Sequence, residues 1–101
     1  MNTVLELEVR NHPGAMMHIC SLFARRVFNL DGILCMPSVD ESRSRVWLRV
    51  REDERMPQVV SQLKKLEDVY SVREHGASHE IFVQLESYFR EGAEASVDPS
   101  L

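Results

Sequence analysis

No stretch of this chain approaches the ~20 consecutive apolar residues that a membrane-spanning helix needs. The N-terminal Met1-Asn2-Thr3 passes directly into a segment carrying Glu6 and Glu8 instead of a basic and then apolar leader. The expectation is a cytoplasmic protein with no membrane partner. Positive charge is also short: 12 Lys and Arg stand against 16 Asp and Glu, a formal net charge of −4, and such a field repels a phosphate backbone. Nucleic acid is therefore not expected as a partner. Cysteine is scarce. Cys20 and Cys35 lie within a helical and a strand pattern respectively, without the dense spacing of a disulfide scaffold, and read as core thiols in a reducing compartment. Neither shows in sequence the exposed, low-pKa environment with an adjacent base that a nucleophile requires. Metal-ligand spacing is missing too: His75 and His79 stand four apart and His12, His18 and Cys20 gather near one helix, but no third ligand follows at a usable distance. These histidines are expected at the solvent surface. Asp53-Glu54 and Glu67-Asp68 fall at turns, where helix capping accounts for them. With no catalytic residues and no metal site, the chain reads as a non-enzyme with no cofactor of its own.

What is present is a regular alternation of elements in 101 residues, 44% apolar and 28% charged, enough for one domain that gains from oligomerising. Val4 to Arg10 alternates Leu5, Leu7 and Val9 with Glu6, Glu8 and Arg10, the mark of a strand with one wet face. Gly14 to Phe28 carries apolar residues at helical spacing and ends near Asn29 and Asp31-Gly32. Gly32 to Val39 is apolar on both faces, and the polar turn Asp40-Glu41-Ser42-Arg43 joins it to Ser44 to Arg51 as a hairpin. Met56, Val59, Val60, Leu63 and Leu66 form a second helical stripe, and Asp68 to Glu74 a last strand. The order β-α-β-β-α-β predicts an α+β, ferredoxin-like domain over residues 3–76, a four-stranded antiparallel sheet with two helices on one face.

In that arrangement the second strand lies at an edge, and an edge apolar on both faces invites aggregation unless covered. The expectation is a homodimer in which Gly32 to Val39 pairs with its own copy across a two-fold axis. The alternative is that its outward side chains rest under the C-terminal segment. That segment has Ile81, Leu85 and Phe89 at i, i+4 and i+8, which predicts a short amphipathic helix over 78–90, outside the sheet and in need of a partner surface. Residues 91–101 have the composition of a disordered end.

The corner Asn11-His12-Pro13-Gly14 joins the first strand to the first helix. Pro13 suits the first helical turn, Gly14 lets a ligand approach the backbone, and the amides of a helix start can hold a small anion. The corner reads as a binding site, with an ordinary capped turn as its alternative. An RNA-recognition module shares the β-α-β-β-α-β order but needs aromatic residues on its central strands. Here the third strand offers only Trp47.

Leu5 to Gly14, Leu22-Phe23-Ala24-Arg25-Arg26, Phe28-Asn29, Asp31 to Cys35 and Leu66-Glu67-Asp68-Val69 together resemble the small regulatory subunits of acetohydroxy acid synthase (acetolactate synthase), the short form of isozyme I above all. That family belongs to the ACT domains. The resemblance implies a βαββαβ homodimer that binds valine for feedback inhibition in branched-chain amino acid biosynthesis. It implies a large catalytic subunit as partner, with thiamine diphosphate, Mg²⁺ and FAD held there. It also places the effector between the loop and the facing chain, with Asn29 at a second matching position. The residues fit a free amino acid: its carboxylate suits the amides of Gly14, Ala15 and Met16, its ammonium the Asn11 carbonyl, and a branched side chain Ile33 and Leu34 across the interface. His12-Pro13 replaces the acidic or small residues of many ACT loops, and the choice among valine, leucine and isoleucine stays open. So does a free-standing amino-acid sensor with another client enzyme.

Overall fold

The structure is a computed structural model that describes residues 2–51, 53–76 and 79–95, with side chains as far as 89. Its elements are β1 (Asn2–Arg10), α1 (Ala15–Arg25), β2 (Leu30–Pro37), β3 (Arg43–Arg51), α2 (Met56–Lys65), β4 (Val69–His75) and α3 (Glu80–Ala95). The four strands form one antiparallel sheet in the order β2-β3-β1-β4, the ferredoxin-like ACT topology expected.

The strand alternation decides which face is dry. Leu5 opposes Leu48, and Leu7 opposes Val46 on one side and Val72 on the other. These side chains point to the face covered by the buried stripes of α1 (Ala15, Ile19, Leu22, Phe23) and α2 (Met56, Val59, Val60, Leu63). Burial of these side chains is the main favourable term in the fold. Arg55 ties the two helices together: its guanidinium lies 4.3 Å from the centre of the Phe28 ring and donates to the Arg26 carbonyl.

Helix α1 stops at Arg25, three residues before the expected Phe28. The Val27 amide bonds to the Ala24 carbonyl and the Phe28 amide to the Phe23 carbonyl, which closes the helix around Val27 at φ 58°. This is a Schellman turn with valine where glycine usually stands. Strand β2 then begins at Leu30, two residues earlier than expected, with a register shift between Leu30 and Gly32 that the periodicity of the sequence hides. The β2–β3 turn matches expectation: Asp40 accepts hydrogen bonds from the Ser42 amide at 3.0 Å and the Ser42 hydroxyl at 2.7 Å, and the Arg43 amide closes onto the Asp40 carbonyl at 3.0 Å.

The largest difference concerns the C-terminal helix, which does not stand outside the sheet. Helix α3 lies on the sheet face opposite α1 and α2. Phe82 is buried there against Gly32, with the Arg49 guanidinium 5.6 Å from its ring centre, while Ile81 and Leu85 face Leu34, Met36 and Trp47. Much of its apolar stripe is therefore covered by the chain's own strands, and β2 does rest in part under the C-terminal helix. Val83, Tyr88 and Phe89 remain exposed. The helix also continues to Ala95, into a stretch whose small and acidic residues read as disordered. Ser78 and residues 96–101 of those expectations lie outside the described residues. No described helix is long and apolar enough to cross a membrane.

Candidate functional site

The end of β1 fixes the loop. The Arg10 amide bonds to the Asp68 carbonyl at 2.8 Å and the Asn11 amide to the Ser42 carbonyl at 2.9 Å, so the chain leaves the sheet between the β2–β3 turn and the start of β4. The Asn11 side chain is anchored as well. Its Nδ2 donates to the Glu41 carbonyl at 2.7 Å, which leaves Oδ1 as an oriented acceptor. Gly14 follows with φ −82° and ψ −12°, an ordinary helical backbone. Glycine is thus not required here for its conformational freedom, and the space a side chain would take is bounded by the rings of His12 and His18.

The amides at the helix start differ in their partners. Gly14 N–H donates to Nδ1 of His12 at 3.1 Å and Ala15 N–H to the His12 carbonyl at 3.0 Å. Met16, in the same turn, has no acceptor among the described residues. The first turn holds no acidic residue and no side-chain cap, so the positive end of the α1 dipole is not neutralised locally.

This loop walls a shallow cavity of about 250 Å³, with Asn11, His12, Pro13, Ala15 and Met16 on one side and Cys35 and Ser44 on the other. The Cys35 thiol is held above the ordinary thiol range, first by desolvation, with a hydrogen bond to Ser44 pulling the other way. It presents a neutral, polarisable wall, not a nucleophile. Cys35 and Ser44 escape a reading of the sequence because both look like members of strands, and only the pairing of Pro37 with Ser44 and of Ser44 with Val9 brings them to the loop.

Four expected residues are not gathered at the cavity by a single chain: Gly14 is not part of its wall, and Leu34, Ile33 and Asn29 lie elsewhere. Leu34 pairs with Trp47 and faces α3, so its phase along β2 puts it on the wrong side of the sheet. Ile33 shares the face of Cys35 but is 46% exposed at the free edge. Asn29, bonded to the Asp31 side chain, precedes β2 at the end of the sheet where Leu30 pairs with Val50 and Val50 with Thr3. The loop lies at the other end.

The remaining candidates resolve into packing. His75 and His79 are not solvent-facing: both are partly buried, with ring centres 5.5 and 4.8 Å from that of Trp47, and His75 Nε2 lies 2.9 Å from Glu6 Oε1. His18 Nδ1 is 3.5 Å from Asp68 Oδ2. Among the described residues no group of three or more His, Cys, Asp or Glu is placed to hold a metal ion. The Arg55 guanidinium, and then the Arg55 amide, donate to Asp53 and hold its carboxyl below the usual range; the N-cap of α2 is Arg55, without a side-chain cap, so Asp53 closes the turn before the helix and does not cap it.

Comparison with known proteins agrees with this architecture. Residues 5–71 match the family described as AHAS small subunit-like ACT domain. The chain is 48% identical over 89 residues to the acetolactate synthase isozyme 1 small subunit of Escherichia coli K12, covering 88% of this chain and 93% of that protein. Against the isozyme 3 small subunit of the same organism it is 32% identical over 77 residues, and it spans about half (47%) of that protein's length. Among solved structures, the acetolactate synthase small subunit of Thermotoga maritima superposes with a TM-score of 0.66 at 25% identity, over 89% of this chain and 68% of that one. The C-terminal domain of the MgtC protein from Mycobacterium tuberculosis superposes at 0.62 and 17% identity, over 77% of this chain and 88% of that one, a likeness of fold alone. The chain belongs to the family of acetolactate synthase small subunits built on the ACT domain.

Proposed function

We propose that this chain is a non-catalytic regulatory subunit of an acetolactate synthase in the cytoplasm, a homodimer that binds valine between its protomers and passes that signal to a large catalytic subunit. Thiamine diphosphate, Mg²⁺ and FAD belong to that larger partner, and this chain activates it. The observation that carries the reading is the spatial separation of Asn11 to Gly14 from Asn29. They stand at opposite ends of the sheet, separated by the eight residues of β2, roughly 25 Å at about 3.3 Å per residue. β2 is an edge strand with its outer hydrogen-bonding side unpaired. Antiparallel pairing of two copies with Ile33 facing Ile33 brings Asn29 of one chain to the Pro37 end of the other, beside the loop. The two halves of the expected site then meet only in a dimer.

In that site the effector's carboxylate meets the unpaired Met16 amide and the positive end of α1, a contribution of ~0.3–1 kcal/mol from the dipole. Its ammonium meets Oδ1 of Asn11, held in place by Glu41. The aliphatic side chain lies against Met16 and Cys35, with the partner subunit's Ile33 on the same face. Calorimetric titration with valine, leucine and isoleucine, followed by co-purification with the catalytic subunit, tests the reading. Saturable binding of a branched-chain amino acid at one or two sites per dimer and recovery of a thiamine-dependent enzyme are expected. A chain that binds none of the three, or that recovers a different client, overturns it.

A further inference from the structure

His12 occupies part of the site from within the chain. Its ring nitrogen Nδ1 takes the Gly14 amide at 3.1 Å, and two ring atoms lie 3.4 Å from where a Gly14 Cβ would stand. The bond from Ala15 to the His12 carbonyl is part of the turn and survives any movement of the ring. The bond from Gly14 to the ring does not, because it depends on one side-chain torsion and on one protonation state.

Resting on the reading of this loop as an effector site, we propose that His12 is a positioning residue that competes with the effector carboxylate for the Gly14 amide, and that protonation of its ring turns it from competitor to partner. A neutral imidazole has one acceptor nitrogen, and Nδ1 accepts from Gly14 only while it carries no hydrogen. When solvent supplies a proton to that nitrogen, both ring nitrogens are donors. The Gly14 amide is then released, and a positive charge stands beside the place the carboxylate takes. Effector affinity therefore rises on acidification.

The other charged groups around the ring define the controls. α1 contributes His18, whose Cε1 is 3.8 Å from the same Gly14 Cβ position and which faces Asp68 of the α2–β4 turn. β1 contributes Arg10, which shares the cavity wall with His12, and the β2–β3 turn to which Asn11 is tied carries Asp40 and Glu41. His18 is the only other imidazole at the loop among the described residues, so it is the second variant.

The experiment is calorimetric titration of the full chain with valine between about pH 5.5 and 8.5, for the wild type, His12→Phe and His18→Gln. Phenylalanine fills the ring volume without an acceptor. The wild type is expected to bind about three- to tenfold more tightly at the acid end. His12→Phe should bind more tightly than wild type at the alkaline end and lose the pH dependence, and His18→Gln should keep it. Valine affinity that ignores pH in the wild type, or a pH dependence abolished by His18→Gln and retained by His12→Phe, overturns the role of His12 while leaving the effector site standing. A chain that binds no branched-chain amino acid at any pH overturns the effector reading itself, and this inference with it. Should His12→Phe not fold, the Gly14 amide resonance of the wild type decides: it must move as the His12 ring titrates, and an amide indifferent to that titration refutes the competition.

Discussion

Phe82 and Gly32 are in such close contact that a Cβ on Gly32 would come within 2.6 Å of the Phe82 ring atom Cε1 and 3.3 Å of the Arg49 Cβ. The glycine is a seat for the ring, and among the described residues the ring is the one buried side chain of α3. Gly32→Ala should push the ring out and destabilise the chain by about 1–3 kcal/mol, the usual cost of overpacking. Chemical denaturation reads that loss, and hydrogen exchange should show α3 amides deprotected while those of β1 and β3 stay slow. Unchanged protection of α3 would mean that the helix is held by something else.

Val27 should be improvable. A β-branched residue at φ 58° bears a left-handed strain of ~1–2 kcal/mol, and its side chain, 85% exposed, gains nothing in return. Val27→Gly is expected to raise stability by about 0.5–1 kcal/mol after allowing for the greater freedom of glycine in the unfolded chain. Thermal unfolding should shift upward by roughly 4 °C, and a fall in Tm would show that the strain is relieved elsewhere.

On the proposed reading of the loop, Asn11→Ala removes the acceptor for the effector's ammonium, and Gly14→Val places a bulky side chain beside the helix-start amides without asking for a forbidden backbone, since φ there is −82°. Both variants should form the complex with the catalytic subunit and lose inhibition by valine. Coupling of this kind is typically ~1–3 kcal/mol and rests on contacts that differ between two states. Acetolactate formation across a valine titration, with circular dichroism as the check on folding, measures it. Full wild-type inhibition of a folded Gly14→Val variant would exclude the site.

The proposed dimer should depend on the free edge of β2. Ile33, 46% exposed, is a better probe than Leu34 or Met36, both of which face α3. Ile33→Lys should yield monomers by light scattering, and an unchanged dimer mass would place the interface elsewhere.

Acid should open the β2–β3 turn late. The Ser42 hydroxyl, then the Ser42 amide, hold the Asp40 carboxyl below the ordinary range. A carboxyl lowered by folding stabilises the fold above its unfolded value, and that contribution disappears as pH falls through the folded value. The Ser42 amide resonance should therefore stay constant down to about pH 4 and titrate with a midpoint below the ~3.9 of a free aspartate. In Asp40→Asn the titration should vanish, and a midpoint at or above the free value would contradict the bond.

The outer-to-inner alternation of β1 and β3 and the stripes of α1 and α2 were legible in the sequence because each repeats its apolar residues at one period, as Leu5-Leu7-Val9 and Met56-Val59-Val60-Leu63 do. The end of α1 was not, since the turn there uses valine in a conformation that the chain normally signals with glycine. The site was half legible. Asn11 to Gly14 stand together in sequence, and the chemistry of a helix start can be read from four residues. Cys35 and Ser44 join them only through strand pairing, and the alternation of β2 sends Leu34 to the face opposite Ile33 and Cys35. The position of α3 was illegible for a different reason: an amphipathic stripe shows that a helix needs a surface, not which one.

The single tryptophan of the chain lies beneath two imidazoles, one on the last strand and one just ahead of α3. Indole emission responds to the rings packed on it, so Trp47 is a built-in optical gauge of whether that helix is seated. No label need be added to follow its release in a stopped-flow cell, provided that the catalytic partner's own indoles are removed or spectrally separated.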